Sequence, residues 1–316
     1  MNNKTINCKC VCDKVLIWTN IRNIVLDPCE HIIHRKCFID KTKCPLCKTA
    51  VTNYYNEKEL AKLCNEDSSY YQKYVDLISL KNPSYMSNVN TSKVVERLPM
   101  TIDIISKVLT SKGFDKMHEI SEKLMTMFNT KLTVHGQNNI TDQRKIIIST
   151  HTCILDHMVI GYLFKCGFLS SVTLLKSFVG RITVGLIPFL LLDRTKKEKT
   201  VDRMREYVKN VESLCLYPEG MMTHPDTIIQ FRTGAFYTGH PIQPVVIKYD
   251  QTVYDPSFDA TVQKLLSTDE MNIEVFVLPV EYPPFDAKKI EIIRKNMAKI
   301  GNMALSRVSN KDIIED

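Results

Sequence analysis

The sequence predicts an α/β protein: a central sheet flanked by helices, preceded by a small metal-stapled module. Three observations carry this. Seven of the 11 cysteines fall within residues 8–47. From residue 98 onward, short β-rich runs alternate with stretches whose apolar residues recur every three or four positions, the pattern of a sheet with helices on its faces. Polar signatures stand at the ends of the strand-like runs, where an open α/β sheet holds its ligands.

The 316 residues leave room for one large domain and a small one. An apolar content of 44% supports a substantial core. The net charge of +7 suits a phosphate-bearing substrate or an anionic membrane surface, and is too small to argue for nucleic acid. An odd cysteine count and the apolar-poor start MNNKTINCKC argue against a secreted disulfide framework. The longest apolar run, ITVGLIPFLLL (182–192), is too short to span a bilayer and contains Pro188. Membrane association is therefore expected to be peripheral.

Residues 1–50 form the first expected domain. Their pattern runs CKCVC, then C-E-H-x2-H-x2-C, then C-P-L-C. Thiolates and imidazoles at such spacings close tetrahedral zinc sites, and so short a segment buries too little apolar surface to fold without them. The segment resembles a RING-H2 finger, the zinc module typical of ubiquitin ligases, most clearly in LDPCEHIIHRKCF and CPLC. The resemblance implies a cross-braced module with two structural zinc ions. One would take Cys8 and Cys12 with His34 and Cys37, Cys10 being the alternative to Cys8. The other would take Cys29, His31, Cys44 and Cys47. It also implies a eukaryotic cell, or a virus infecting one, and a ubiquitin-conjugating enzyme or another protein as partner. The tryptophan that often precedes the last knuckle is missing, Trp18 being the one tryptophan of the chain.

Residues 51–97 read as a polar connector. They carry helical patches at EKELAKLC (57–64) and YQKYVDLISL (71–80), and a turn-rich linker, NPSYMSNVNTS (82–92). The third domain, 98–316, opens with a helical hairpin. Ile102, Ile105 and Leu109 share one face of its first helix. Met117, Ile120, Leu124 and Met127 share one face of the second, with SKGFD as the break. Such a hairpin either joins the core or lies on a bilayer. Strands are then expected at KLTVHG (131–136) and KIIIS (145–149), alternating like a pair, and a helix at LDHMVIGYLFK (155–165). Further strands are expected at SSVTLLKS (170–177), IPFLLLDR (187–194), SLCLYPEG (213–220) and PIQPVVIKY (241–249), with NIEVFVLP (272–279) as the last. Val201, Met204, Val208 and Val211 stripe one helix, and Ile290, Ile293, Met297, Ile300 and Ala304 stripe a final one.

The chemistry centres on STHTCILD (149–156), where His151 and Asp156 fall between a strand and a helix. A histidine oriented by a carboxylate can take the proton from a hydroxyl as that hydroxyl attacks an acyl carbonyl. Arg194, at a strand end, offers a fork of donors for phosphate. Glu219 can orient a hydroxyl, and Gly220 allows close backbone approach.

HTCILD, FLLLDR, YPEG and the PIQPVV strand occur in this order. Over residues 98–307 the chain thereby resembles the glycerophospholipid acyltransferase family, which acylates glycerol-3-phosphate, 1-acylglycerol-3-phosphate and lysophospholipids. The resemblance implies an acyltransferase-type central sheet and acyl-CoA as donor. It makes His151 the general base and Asp156 its partner. Arg194 would bind the acceptor phosphate, Glu219 and Gly220 would complete the acceptor site, and the strand at Pro244 would line the acyl path. It places the protein at the cytoplasmic face of an internal membrane. Thr150, Pro188 and Met221 stand where the family usually has Asn, Gly and Thr. The rival reading is a RING ubiquitin ligase, or a zinc-mediated adaptor, built on a lipid-binding acyltransferase fold.

Overall fold

Two kinds of sequence build two cores in the computed structural model. It describes residues 23–29, 31–34, 37–56, 91–110, 114–176, 184, 188–193, 199–223, 225–249, 265, 267–268 and 270–310. One unit comprises Met1–Ser84, Asp226–Gln230 and Met303–Asp316; the other comprises Tyr85–Pro225 and Phe231–Asn302.

The first unit holds a three-stranded antiparallel sheet of order β2-β1-β3, with β1 at Asn23–Asp27, β2 at His31–His34 and β3 at Asn53–Asn56. Its apolar core is small: Ile24, Leu26, Ile33, Phe38 and Cys44, with Tyr54 edge-on to Phe38. Five such side chains contribute only about 1.5–3 kcal/mol each, little for a module of this size. The structured segment runs past residue 50, because β3 completes the sheet in what reads as polar connector. The helical patches at 57–64 and 71–80 and the linker before residue 91 lie outside the described residues.

The second unit is organised by a seven-stranded sheet. Its strands are β4 (Thr130–His135), β5 (Ile146–Ser149), β6 (Cys166–Ser171), β7 (Phe189–Leu192), β8 (Ser213–Leu216), β10 (Ile242–Tyr249) and β11 (Met271–Val277), in the order β4-β11-β10-β5-β8-β6-β7. β10, β5, β8, β6 and β7 run parallel, whereas β11 is antiparallel to β10 and parallel to β4. β5 and β8 are buried at every position, as central parallel strands covered on both faces must be. β4, at one sheet edge, alternates half-buried with exposed residues.

Among the described residues, five helices belong to this unit: α1 (Thr91–Thr110), α2 (Phe114–Met127), α3 (Asp156–Leu163), α4 (Thr200–Asn210) and α5 (Ala287–Ile300). The stripe on α2 faces inward, with Met117, Ile120 and Met127 buried. Gly161 of α3 lets Met117 approach so closely that a Cβ there would lie 2.1 Å from its methyl carbon. α5 starts on a side-chain cap, the Asp286 carboxylate accepting from Lys289 N at 2.7 Å.

Several expectations need correction. The first helix starts at Thr91 rather than near Leu98, and Pro99 lies inside it; a proline that reads as a helix start is here an exposed interior residue. Ile102 of the expected stripe is 58% exposed, and Arg97 is buried instead. Its guanidinium donates to Leu265 O at 3.2 Å and lies over Phe128. β6 precedes the expected SSVTLLKS strand, because the buried pairing residues are Cys166, Gly167 and Phe168 while 172–176 turn into a 3-10 helix. β4 and β5 do not pair with each other; β11 and β10 lie between them. β11 is not the last strand. After α5 comes β12 (Ala304–Ser309), parallel to β9 (Thr227–Gln230) in the first unit.

Candidate active site

Because β5, β8 and β10 are parallel, their carboxyl ends share one edge of the sheet. The STHTCILD turn leaves β5 there, the YPEG turn leaves β8 next to it, and β10 ends there at Tyr249. Thr150 locks the first turn to β10: its N–H donates to Val245 O at 3.3 Å and its hydroxyl accepts from Ile247 N at 2.9 Å. The departure at 150 thus has a structural use.

Asp156 opens α3 and is fully buried. Its Oδ2 accepts three hydrogen bonds, from His151 Nδ1 at 2.8 Å, Thr152 N at 2.7 Å and Cys153 N at 3.0 Å. Its Oδ1 accepts from the Tyr249 hydroxyl. Two backbone donors and a helix N-terminus stabilise a carboxylate without a buried cation. With its Nδ1–H given to Asp156, the His151 ring keeps the Nε2 lone pair for a substrate proton. The His151 side chain is 13% exposed, so the base is reachable while its partner is not.

Sequence reasoning missed the aromatic frame around this pair. Tyr217 stacks on His151 with ring centroids 3.8 Å apart and planes 10° from parallel. His157 meets His151 edge-on at 5.4 Å and packs beside Phe168, Phe189 and Tyr217. Burial, then the neighbouring His151 charge, hold His157 down to about 3, so it stays neutral when His151 takes a proton. Cys153 does not compete as a nucleophile, since burial and then the Asp156 charge push its thiol well above the usual range.

The YPEG turn is held against the base. Gly220 N donates to Tyr217 O at 2.9 Å across Pro218 and Glu219, and Gly220 has φ 78, where a side chain would be strained. Thr223 N donates to His151 O at 2.7 Å, and Arg232 N to Pro218 O at 2.7 Å, which ties in the FRTGAF segment. Glu219 is fully buried. Pro244 sits within β10 opposite Ile148. Its carbonyl accepts from Leu278 N at 3.0 Å, and the Gln243 side-chain amide donates to Leu278 O, the acceptor a backbone N–H at 244 would otherwise face. Arg194 lies outside the described residues.

In the first unit, one ligand atom from each of Cys29, His31, Cys44 and Cys47 falls within 4.8 Å of the others. This is the second of the two expected sets. His31 Nδ1 is buried with no hydrogen-bond partner among the described residues. Three thiols and an imidazole fit tetrahedral zinc. Of the first set, Cys37 is half-buried, while Cys8, Cys12, the alternative Cys10 and the side chain of His34 lie outside the described residues.

Residues 131–248 match the Acyltransferase family model. That segment, which holds β4 to β10 and the His151–Asp156 pair, is thus similar to an acyltransferase domain. Among proteins similar to this chain, the lysophospholipid acyltransferase LPEAT1 of Arabidopsis thaliana is 33% identical over 191 residues, 52% of this chain and 47% of the plant protein. Lysophosphatidylcholine acyltransferase 2B of Rattus norvegicus is 30% identical over 118 residues, 35% of this chain and 22% of the rat protein. The chain thus spans less than half the length of these relatives. The 1-acyl-sn-glycerophosphate acyltransferase PlsC of Thermotoga maritima shares the fold, with a TM-score of 0.51 at 15% identity over 67% of this chain and 93% of the bacterial one. None of the described helices is long and apolar enough to cross a membrane.

Proposed function

We propose that the protein transfers a fatty acyl group from acyl-CoA to the hydroxyl of a lysophospholipid, lysophosphatidic acid or glycerol-3-phosphate. The observation that carries this reading is the His151–Asp156 hydrogen bond of 2.8 Å, which commits Nδ1 and leaves Nε2 as the basic nitrogen of a partly exposed ring at the carboxyl edge of the sheet. His151 Nε2 takes the proton of the acceptor hydroxyl as its oxygen forms a bond to the thioester carbonyl carbon. The carbon–sulfur bond then breaks, the acyl group stays on the acceptor oxygen as an ester, and the imidazolium proton goes to the CoA thiolate. Asp156 holds the imidazole in the right tautomer and stabilises its cation. Arg194, two residues beyond β7, binds the acceptor phosphate, with Glu219 and Gly220 completing the acceptor site and Pro244 bordering the acyl path. The acceptor classes follow those named in the relatives.

The enzyme works at the cytoplasmic face of an internal membrane, held peripherally through α1. Support comes from Val95 and Ile102 of that helix, seven residues apart on one face and 68% and 58% exposed; exposed apolar residues on one helix face suit the acyl boundary of a bilayer. Labelled acyl-CoA and a panel of lysophospholipids, lysophosphatidic acid and glycerol-3-phosphate test the activity. A labelled diacyl or monoacyl product is expected, and no product with any acceptor would defeat the reading.

The finger is proposed to hold two structural zinc ions, whose ligation supplies folding free energy of about 10–16 kcal/mol per site in small zinc modules. Cys29, His31, Cys44 and Cys47 hold one, and Cys8, Cys12, His34 and Cys37 the other. Metal analysis should find two zinc ions per chain, and at most one after Cys44→Ala. The cooperative melting of the acyltransferase unit should persist in that variant, since its core contains no residue of the finger. Wild-type chain without zinc would remove the finger model.

A further inference from the structure

The structure assigns Tyr249 as a positioning residue for the base, acting through Asp156; this rests on the acyltransferase reading above. The two carboxylate oxygens of Asp156 are treated unequally. Oδ2 serves His151 and the two backbone N–H groups of 152 and 153. Among the described residues, Oδ1 is bonded by the Tyr249 hydroxyl alone. That bond crosses 93 positions of sequence, from the carboxyl end of β10 to the first turn of α3. It is the one side-chain bond among those described that ties the carboxylate to the sheet beyond β5.

The chemistry gives the bond a direction. An ionised carboxylate only accepts, so the phenol donates. Burial, then the Asp156 charge, hold the Tyr249 hydroxyl well above its usual range, so it remains a donor at any working pH. Without it, rotation of the carboxylate would be opposed only from the Oδ2 side. The charge now shared with the phenol would also fall more fully on His151.

Tyr249→Phe removes one oxygen and keeps the ring that packs on the core. We expect kcat to fall about tenfold, the loss of one hydrogen bond to a charged group, with both KM values unchanged. In an Asp156→Asn background the same change should cost clearly less, because the bond it removes is then to a neutral amide and not to a carboxylate. A readout independent of turnover is the titration of the His151 ring by NMR. Among the described residues, the titratable groups that act on Asp156 or His151 are Cys153, His157, Cys215, Tyr217 and Tyr249. Only the last is altered, so an upward displacement of the midpoint in Tyr249→Phe, relative to wild type, reports the loss of its bond to Asp156. An unmoved midpoint, or an equal loss of kcat in the Asp156→Asn background, would overturn the assignment. Wild-type chain without acyl transfer would defeat the acyltransferase reading instead, and the titration would still decide whether Tyr249 controls the base.

Discussion

His151→Ala is expected to lower acyl transfer by about 10²–10⁴-fold, the usual worth of a general base, while leaving the fold and the zinc content intact. The side chain is a poor candidate for a structural role, being partly exposed and held by one side-chain hydrogen bond. What the substitution removes from the fold is its stack on Tyr217, worth about 0.5–1.5 kcal/mol, its edge contact with His157 and one of the three hydrogen bonds to Asp156 Oδ2. The contacts that position the surrounding loop survive, because Thr223 bonds the backbone carbonyl of residue 151 and not its ring. Initial rates with labelled acyl-CoA, beside a thermal melt, check both halves. Unchanged turnover would place the active site elsewhere. An inactive variant that melts as early as a core deletion would leave loss of fold, not loss of the base, as the cause.

The parts of this site that were legible in the sequence are those set by local geometry. His151 and Asp156 are five residues apart across one tight turn, and the all-buried β5 that delivers them reads as an apolar run. The YPEG turn is equally local, with Gly220 marked by its positive φ. Tyr217, His157 and Tyr249 were not legible as parts of the site. Their contacts depend on β8, β5 and β10 lying side by side, and nothing in the periodicity of one strand names its neighbours. The same blindness separates β4 from β5, which follow each other in the chain but lie three places apart in the sheet. β6 was displaced because Gly167 weakens a strand pattern; it is there because the Tyr207 hydroxyl occupies the space a Cβ would need, 2.1 Å away. On α1 the sequence pattern leaves open whether the apolar residues face the core, and the described residue that is buried there is an arginine, Arg97. A guanidinium that reaches a carbonyl and lies on Phe128 can be buried, and no hydrophobic pattern anticipates it.

Asp156→Asn separates charge from geometry in a way that Asp156→Ala does not. The Oδ2 position faces three donors, so an asparagine must place its amide oxygen there and turn its NH2 toward Tyr249. The tyrosine hydroxyl accommodates this by rotating from donor to acceptor. The imidazole therefore keeps its Nδ1–H tautomer and its orientation, and only the negative charge is lost. A unit charge about 4 Å from the imidazolium is worth about 4 kcal/mol at an effective dielectric of 20, so turnover should fall by about 10³-fold with the melting temperature nearly unchanged. Asp156→Ala removes the acceptor for two backbone N–H groups, a ring nitrogen and a phenol at a fully buried position. Each buried donor left unpaired costs about 1–3 kcal/mol, so this variant should lose several kcal/mol of stability besides its activity. Rates and denaturant midpoints measured side by side distinguish the two. A destabilised Asn variant would mean the amide cannot satisfy the donors as argued. An Asn variant that is stable and fully active would show that Asp156 organises the turn without supporting the charge on His151.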